Sequence, residues 1–190
     1  MTHAPRKVYT RKGDDGTTGL FHGGRIGKDA PGPAAYGDVD EAVSALGFAR
    51  ALTERGTDLY ELLLRLQREL FVAGAELATE PGKRDRLEPG VSRVTPEMVA
   101  ALEPVIDDVT ARFDPPQEFV LPGENELAAA LDLARAVVRR AERQAVGARD
   151  AGWLDDSQVV PYLNRLADLV YTLARWQEHG FRPVRTDGRS

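Results

Sequence analysis

The chain of 190 residues contains no cysteine. That absence excludes disulfide scaffolds, thiolate zinc sites, iron–sulfur clusters and cysteine nucleophiles, so any catalysis must use oxygen or nitrogen groups. No apolar run approaches the roughly 20 residues that a membrane-spanning helix needs, and residues 1–12 lack the apolar segment of a signal peptide. We therefore expect a cytoplasmic protein without a membrane partner.

Common catalytic motifs and a broad basic surface are missing as well. There is no Gly-x-Ser-x-Gly motif of a serine hydrolase, no Glu-x-x-His pair of a di-iron bundle, and neither standard glycine-rich phosphate motif. The net charge of −5 argues against a general nucleic-acid-binding protein. Residues 1–28 nevertheless hold six basic side chains against two acidic ones. A small anionic ligand fits this local charge best.

Helical periodicity dominates the rest of the chain. Hydrophobic residues make up 42% and charged residues 29%, the usage of an ordinary globular protein that is long enough to bury a core. From residue 34 onward, apolar residues recur at steps of three and four, which predicts five amphipathic helices. The third predicted helix begins after the capping residue Thr95, has Pro96 in its first turn, and ends before Pro115.

The other four predicted helices run from 34 to Gly56, and over about 58–78, 124–148 and 157–179. A polar loop at 81–93 and a short extended segment at 119–121 separate them. The predicted fold is all-α: one domain over 1–190, with a ferritin-like five-helix bundle over 34–180. A glycine-rich segment over 1–33 precedes the bundle, and a tail over 181–190 follows it.

Residues 1–33 lack the helical period and are rich in glycine. Glycine lets backbone amides converge on an anion, threonine hydroxyls add donors, and lysine or arginine balances the charge. A phosphate-binding loop is one interpretation of this composition, and a flexible, solvated N-terminus is the other. The glycines concerned are Gly13, Gly16, Gly19, Gly23, Gly24 and Gly27.

Polar stripes run along the last two predicted helices. At about 100° per residue, Arg135, Arg139 and Glu142 share one face of the fourth helix, Arg143 flanks them, and Arg140 points elsewhere. Such a stripe is most often a solvated face. The stripe on the fifth helix lies beside core leucines and needs partners, so we predict a polar seam between the two helices. The polar stripe on the fifth helix consists of Asn164, Asp168, Tyr171 and Arg175.

Three acids on the first helix allow two interpretations. Asp38, Asp40 and Glu41 could balance the arginines of the fourth helix. They could equally be first-turn acids that the helix dipole favours.

An ordered set of short motifs resembles one known family, the ATP:cob(I)alamin adenosyltransferases of the propanediol-utilisation type. The resemblance spans residues 9 to about 175, and each motif is weak by itself. The motifs are YT at 9–10, GDDGTT at 13–18, KD at 28–29, YGDVDE at 36–41, FVLPG at 119–123, AR at 134–135 with RRAER at 139–143, and YLNRLAD at 162–168.

The resemblance implies a cobalamin adenosyltransferase-like bundle that forms a homotrimer, with active sites between neighbouring subunits. It implies that Asp40 pairs with Arg135 across the subunit boundary and that Phe119 lies below the corrin ring. The residues implied to bind ATP in the N-terminal segment are Thr10, Gly13, Asp14, Gly16, Thr17, Thr18 and Lys28. Those implied on the helices are Arg139, Arg140, Glu142, Arg143 and Asn164.

The implied reaction transfers the 5′-deoxyadenosyl group of MgATP to cob(I)alamin and leaves triphosphate. Co(I) needs no deprotonation, so the chemistry lies in stabilising the leaving group, for which Lys28, Arg139 or Arg143 and a magnesium ion held mainly by the ATP phosphates are candidates. Catalytic roles fall to Arg139, Lys28, Asp40 and Arg135. Phe119 would exclude the lower ligand and leave cobalt four-coordinate, although periodicity alone favours an ordinary core position for it.

Partners implied by this chemistry are a cobalamin reductase and an adenosylcobalamin-dependent enzyme. The alternatives are a non-catalytic nucleotide- or corrinoid-binding module that senses or delivers its ligand, and a helical scaffold without a ligand. The chain also departs from many family members at three positions. Gly32 replaces an arginine, Glu124 replaces the second glycine after the Leu-Pro, and Asp132 replaces a histidine.

Overall fold

The structure, a computed structural model, describes residues 8–185. Residues 1–7 of the predicted N-terminal segment and residues 186–190 of the predicted tail lie outside the described residues. The described helices are α1 (Pro31–Ala51), α2 (Asp58–Leu77), α3 (Pro96–Ala100), α4 (Glu103–Thr110), α5 (Glu126–Asp150) and α6 (Val159–Gln177), with a 3₁₀ helix at Pro81–Arg86. The short strands are β1 (Thr17–Gly19), β2 (Arg25–Gly27), β3 (Val120–Leu121) and β4 (Arg182–Pro183).

The apolar stripes of the four long helices meet in one core. Helix α1 packs against α2 and α5, α5 packs against α6, and the short α4 lies on α6. Leu46, Leu66, Leu131 and Leu166, one from each long helix, are completely buried. The predicted stripes and the helical bundle are therefore confirmed. The first predicted helix extends to Gly56, but α1 ends at Ala51, so Leu52, the last apolar residue of the predicted stripe, lies beyond the helix and stays partly exposed.

Side-chain caps fix where several helices begin. Thr57 accepts a hydrogen bond from the Tyr60 amide at α2, and Thr95 accepts one from the Met98 amide at α3, as predicted. Asn125 caps α5 by accepting from the Ala128 amide at 2.8 Å. At α1, Pro31 occupies the first turn, so the helix begins three residues before the predicted start.

The third predicted helix is wrong as one continuous element. The chain forms α3 and then α4, with a turn at residues 101–102 between them. Pro104 explains the break, since it has no amide hydrogen to donate to the Ala100 carbonyl and its ring would clash with that carbonyl. The same proline fits the first turn of α4, where no donor is required.

Two small antiparallel sheets stand outside the bundle. In the N-terminal segment, β1 pairs with β2, with Thr18 opposite Ile26. The turn of this hairpin is attached to the bundle by the Phe21 amide, which donates to the Ala78 carbonyl at 2.9 Å. At the other sheet, β3 confirms the predicted extended segment and pairs with β4. Within residues 8–185, no helix is both long and apolar enough to cross a membrane.

Candidate active site

Lys28 organises the glycine-rich loop of the N-terminal segment. Its ammonium donates to the Gly13 carbonyl at 2.8 Å, and its backbone amide donates to the Gly16 carbonyl at 2.9 Å. Gly16 has a φ of +80°, a left-handed conformation that favours glycine, and this allows the loop to turn back on itself. The loop therefore folds around one lysine side chain, which it holds at the protein surface.

A second cluster in this segment joins Asp15, Thr17 and Arg25. Asp15 Oδ1 accepts from the Thr17 amide at 2.9 Å and from the Thr17 hydroxyl at 2.8 Å, and the Arg25 guanidinium lies 3.5 Å away. These hydrogen bonds from Thr17, together with the charge of Arg25, lower the pKa of Asp15 below its ordinary value. Arg25 Nε also donates to the Thr17 hydroxyl at 3.0 Å. The loop is thus ordered by its own side chains.

The remaining predicted residues of the segment lie around this cluster. Thr18 accepts a hydrogen bond of 3.4 Å from the Tyr36 hydroxyl, which joins the hairpin to α1. Thr10 and Asp14 are exposed, and the Asp14 amide donates to the Arg11 carbonyl. Residues 10–28 therefore form a loop with a defined geometry.

Polar residues of α5 and α6 form the predicted seam. Asn164 Nδ2 donates to Glu142 Oε1 at 2.8 Å, which joins the two helices directly. Arg143 donates to the Arg139 carbonyl at 3.0 Å. The Arg139 side chain is exposed, and none of the hydrogen bonds or ion pairs within residues 8–185 uses its guanidinium. This surface therefore offers a cation that forms no ion pair with a carboxylate among residues 8–185.

Arg140 points away from that surface, as the helical geometry predicts, and contacts α1. Its Nε lies 3.5 Å from Asp38 Oδ1, and its Nη2 contacts Glu41. The interpretation of these acids as first-turn residues is wrong, because α1 begins at Pro31 and no acid lies in its first turn. Asp38 and Glu41 balance Arg140 instead.

Asp40 faces a different surface of α1. It is exposed and borders an apolar groove of about 430 Å³ between α1 and α2, where Phe21 and Phe71 also lie. No ion pair or hydrogen bond within residues 8–185 involves the Asp40 side chain. Arg135 is on α5, where its guanidinium stacks 5.3 Å from the centre of the Tyr171 ring. The two residues do not pair within one chain.

A cleft of about 410 Å³ opens between Phe119 and helices α5 and α6. Arg135, Asp168 and Tyr171 line one side of it, and Asp132 lies on the same wall. The Phe119 side chain is 88% exposed, so the alternative that it is an ordinary core residue is wrong. An exposed phenyl ring at a polar cleft is suited to contact a large, flat, partly apolar ligand.

The chain thus brings the predicted residues together in two groups rather than one. Lys28 and the loop residues form the first group, and the α5–α6 seam forms the second. No hydrogen bond or ion pair described for residues 10–28 reaches Arg139, Arg143 or Asn164. Nor do residues 8–185 contain a cluster of three or more His, Asp or Glu side chains that could hold a metal ion by themselves.

Some contacts in these two groups of residues cannot be predicted from patterns in the sequence. Lys83, on the 3₁₀ helix, donates to the Gly23 carbonyl at 2.8 Å and holds the hairpin turn. Sixty positions separate the two residues, so no local pattern points to this contact. The pairing of Arg175 with Asp132 at 2.5 Å is similar, although the helical period does place Arg175 on the polar stripe.

Comparisons with known proteins agree on one family. The model of the family described as cobalamin adenosyltransferase matches residues 8–177. A corrinoid adenosyltransferase from Citrobacter freundii is 42% identical over 172 residues, which cover 90% of this chain and 95% of that protein. One from Mycobacterium tuberculosis is 42% identical over 171 residues, which cover 89% of this chain and 87% of that protein.

The fold agrees with solved structures as well. The structure of a variant PduO-type ATP:corrinoid adenosyltransferase from Lactobacillus reuteri, complexed with cobalamin and ATP, matches with a TM-score of 0.81 at 32% identity. That match covers 95% of this chain and 100% of the other. A second variant structure from the same organism, complexed with ATP, matches with a TM-score of 0.79.

Proposed function

This chain belongs to the cobalamin adenosyltransferase family, and we propose from that membership how its two groups of residues make one active site. The protein is an ATP:corrinoid adenosyltransferase, an enzyme that transfers the adenosyl group of ATP to a corrinoid. The observation that carries this conclusion is the extent of the family match, because residues 8–177 include every candidate site residue of both groups.

We propose that the site is completed between two copies of the chain. The N-terminal loop of one subunit would lie against the α5–α6 seam of its neighbour, in a homotrimer. Two observations support this arrangement. Within residues 8–185, no hydrogen bond or ion pair joins the loop to the seam, and Asp40 and Arg135 carry opposite charges but have no charged partner there. An apolar groove beside Asp40 provides area that a neighbouring subunit can bury.

Within this site, Lys28, Arg139 and Arg143 would bind the phosphates of ATP. Breaking the C5′–O bond puts extra negative charge on the triphosphate, and fixed cations stabilise that charge more in the transition state than in the ground state. Lys28 is already held by the Gly13 carbonyl, and its ammonium keeps further hydrogens for a phosphate. Because the side chains of residues 8–185 form no metal site by themselves, we propose that magnesium enters with the nucleotide as MgATP.

Glu142, Asn164 and Arg140 have supporting parts in this proposal. The Glu142–Asn164 hydrogen bond orients an amide next to Arg139 and Arg143. Arg140 is engaged with Asp38 and Glu41, so its contribution would be to hold α5 against α1 rather than to bind phosphate through a free guanidinium.

Phe119 is proposed to act on the corrinoid. An exposed phenyl ring has no lone pair to offer to cobalt and excludes water and other ligands from the surface that it covers. Cobalt without a lower ligand accepts an electron more readily, because no axial donor raises the energy of the acceptor orbital. The Co(I) product is the nucleophile that attacks C5′ of ATP, with triphosphate as the leaving group.

The partners follow from the same chemistry and are proposals. Formation of cob(I)alamin needs a reductase, and the adenosylcobalamin product serves an enzyme that uses this cofactor. The requirement for ATP favours the cytoplasm as the working compartment.

One anaerobic assay tests the proposed site. Chemically reduced cobalamin and MgATP should give adenosylcobalamin and triphosphate in equal amounts. Arg139→Ala should lower kcat by about 10²- to 10³-fold, the usual effect of removing one stabilising group from a transition state. Retention of parent turnover in this variant would remove Arg139 from the mechanism.

A second experiment tests the oligomeric state. Light scattering should give a trimer mass, and Asp40→Arg should reduce that mass, whereas Asp40→Arg combined with Arg135→Asp should restore it.

A further inference from the structure

The segment that follows α6 holds the backbone of Phe119. After α6 the chain reverses, and β4 pairs with β3 so that Val120 lies opposite Pro183. The Val184 amide donates to the Phe119 carbonyl at 2.9 Å. Residues 178–184 therefore form a short strap, and the position of the Phe119 ring at the cleft depends on it.

One ion pair fastens the strap at its exposed side. Glu124 Oε1 accepts from Arg182 Nε at 2.8 Å, and this hydrogen bond and the charge of Glu124 raise the pKa of Arg182. Next to it, Asn125 Nδ2 donates to the Gln177 carbonyl at 2.8 Å. The first contact joins the residues just before α5 to the strap, and the second joins them to the last residue of α6.

A second group, formed by Arg175 with Asp132 and Glu178, holds the first residue of the strap. Arg175 is 2% exposed, and its Nη2 lies 2.5 Å from Asp132 on α5 and 2.9 Å from Glu178 at the base of the strap. Burial raises the pKa of Glu178, Arg175 opposes that rise, and the charges of Asp132 and Glu124 add to it. Asp132 thus fixes the guanidinium that in turn holds the first residue of the strap.

Glu124 and Asp132 each pair with an arginine of the α6–strap region, Arg182 and Arg175 respectively. The two acids therefore act on the same structural unit, although they are eight positions apart and contact different arginines.

We propose that Glu124 and Asp132 are positioning residues that act through Arg182 and Arg175 to hold the strap, and thereby hold Phe119 over the lower face of the corrinoid. The inference rests on the proposed function of Phe119. Neither acid contacts the cobalt, and neither takes part in binding the triphosphate. Loosening the strap should release the ring and allow cobalt to keep a lower ligand, while ATP binding is unchanged.

The experiment compares Glu124→Gln and Asp132→Asn with the matched control Glu118→Gln. Glu118 is exposed one residue before Phe119 and forms no ion pair within residues 8–185, so its variant removes the same charge without touching the strap. Hydrogen exchange of the 119–125 and 178–184 peptides is measured on the ligand-free protein. Electron paramagnetic resonance then measures the four-coordinate fraction of bound cob(II)alamin in the presence of MgATP.

Glu124→Gln should accelerate exchange in both peptides by about two- to fivefold, the effect of losing one exposed ion pair. It should also lower the four-coordinate fraction and leave KM for ATP unchanged, whereas Glu118→Gln should match the parent. Glu124→Arg combined with Arg182→Glu should restore both readouts. Asp132→Asn should show a larger effect because Arg175 is buried, and Glu124→Gln keeps the test valid if Asp132→Asn does not fold.

Hydrogen exchange at the parent rate in both peptides of Glu124→Gln would overturn the proposal that Glu124 holds the strap. Faster exchange with a parent-like four-coordinate fraction would overturn the positioning of Phe119. Failure of the parent itself to produce adenosylcobalamin would overturn the proposed function and this inference with it, and the parent assay distinguishes that case from the other two.

Discussion

Replacement of Gly32 by alanine should destabilise the protein strongly, because Trp153 occupies the space that a side chain would need. A Cβ atom built at Gly32 would lie 2.2, 2.4 and 2.5 Å from three atoms of the indole ring, whereas ordinary contacts begin near 3.4 Å. The ring is 8% exposed, and its Nε1 donates to the Leu77 carbonyl at 2.7 Å. The indole must therefore move by about 1 Å, which strains the core and breaks this hydrogen bond.

The two effects set the expected magnitude. Overpacking of a core costs about 1–3 kcal/mol, and loss of a buried hydrogen bond adds roughly 1 kcal/mol, so we expect a loss of about 2–4 kcal/mol. For a protein of this size the melting temperature should fall by roughly 5–15 °C. Glycine at this position leaves the space that the indole ring of Trp153 fills.

Urea unfolding followed by circular dichroism measures the change. Gly147→Ala is the matched control: this glycine lies in α5 with no heavy atom within 4 Å of a built Cβ, so alanine should stabilise the protein by up to about 1 kcal/mol. In a Trp153→Leu background, Gly32→Ala should cost less than about 1 kcal/mol because the clash is gone. Parent-like stability of Gly32→Ala in the presence of Trp153 would refute the steric argument.

Three further predictions concern single contacts. Lys83→Met should raise KM for ATP about two- to tenfold, because the hairpin turn loses the hydrogen bond from Lys83 to the Gly23 carbonyl. The control variant Arg86→Met, on the same 3₁₀ helix, should leave KM unchanged. Equal effects of the two variants in steady-state assays would contradict this prediction. Because hydrogen bonds lower the pKa of Asp15, its contribution to loop stability should be complete above the ordinary value of 3.8 and disappear as the pH falls through the lower folded-state pKa. The Thr17 amide resonance should therefore titrate with a midpoint below 3.8, and a midpoint at or above it would exclude the hydrogen bonds. Glu76→Ala should lower the free energy of unfolding, measured with urea, by about 3–5 kcal/mol. The reason is that the buried Glu76 carboxylate accepts hydrogen bonds from Arg84 at 2.6 Å and from the Val94 amide at 2.7 Å. A loss under about 1 kcal/mol would show that the Glu76–Arg84 pair is dispensable.

Local rules explain why much of the fold was predictable. Period, caps and proline positions are properties of neighbouring residues, so the four long helices and the cap at Thr95 follow from the sequence directly. The split between α3 and α4 was missed because the apolar positions continue through Pro104 and conceal the break. The hairpin was missed because its strands have only three residues each, too few for an alternating pattern.

The site was predictable only in part, and for a different reason. Helical geometry correctly separates Arg140 from the Arg139 face and predicts the seam between α5 and α6. The partners of Asp132, Glu124 and Gly23 lie 43 to 60 positions away, and they depend on how the helices rotate and pack. No local pattern encodes that packing, so these contacts required the structure.

In the proposed arrangement, a loop from one subunit and the arginine face of its neighbour share one ATP site. Lys28→Ala and Arg139→Ala should each be nearly inactive when expressed alone. Co-expression of the two variants should restore about one quarter of the parent sites, because one interface in four then combines an intact loop with an intact helix. If both residues acted within the same chain, the mixed protein would show only the residual activity of the separate variants, and that result would contradict a site shared between subunits.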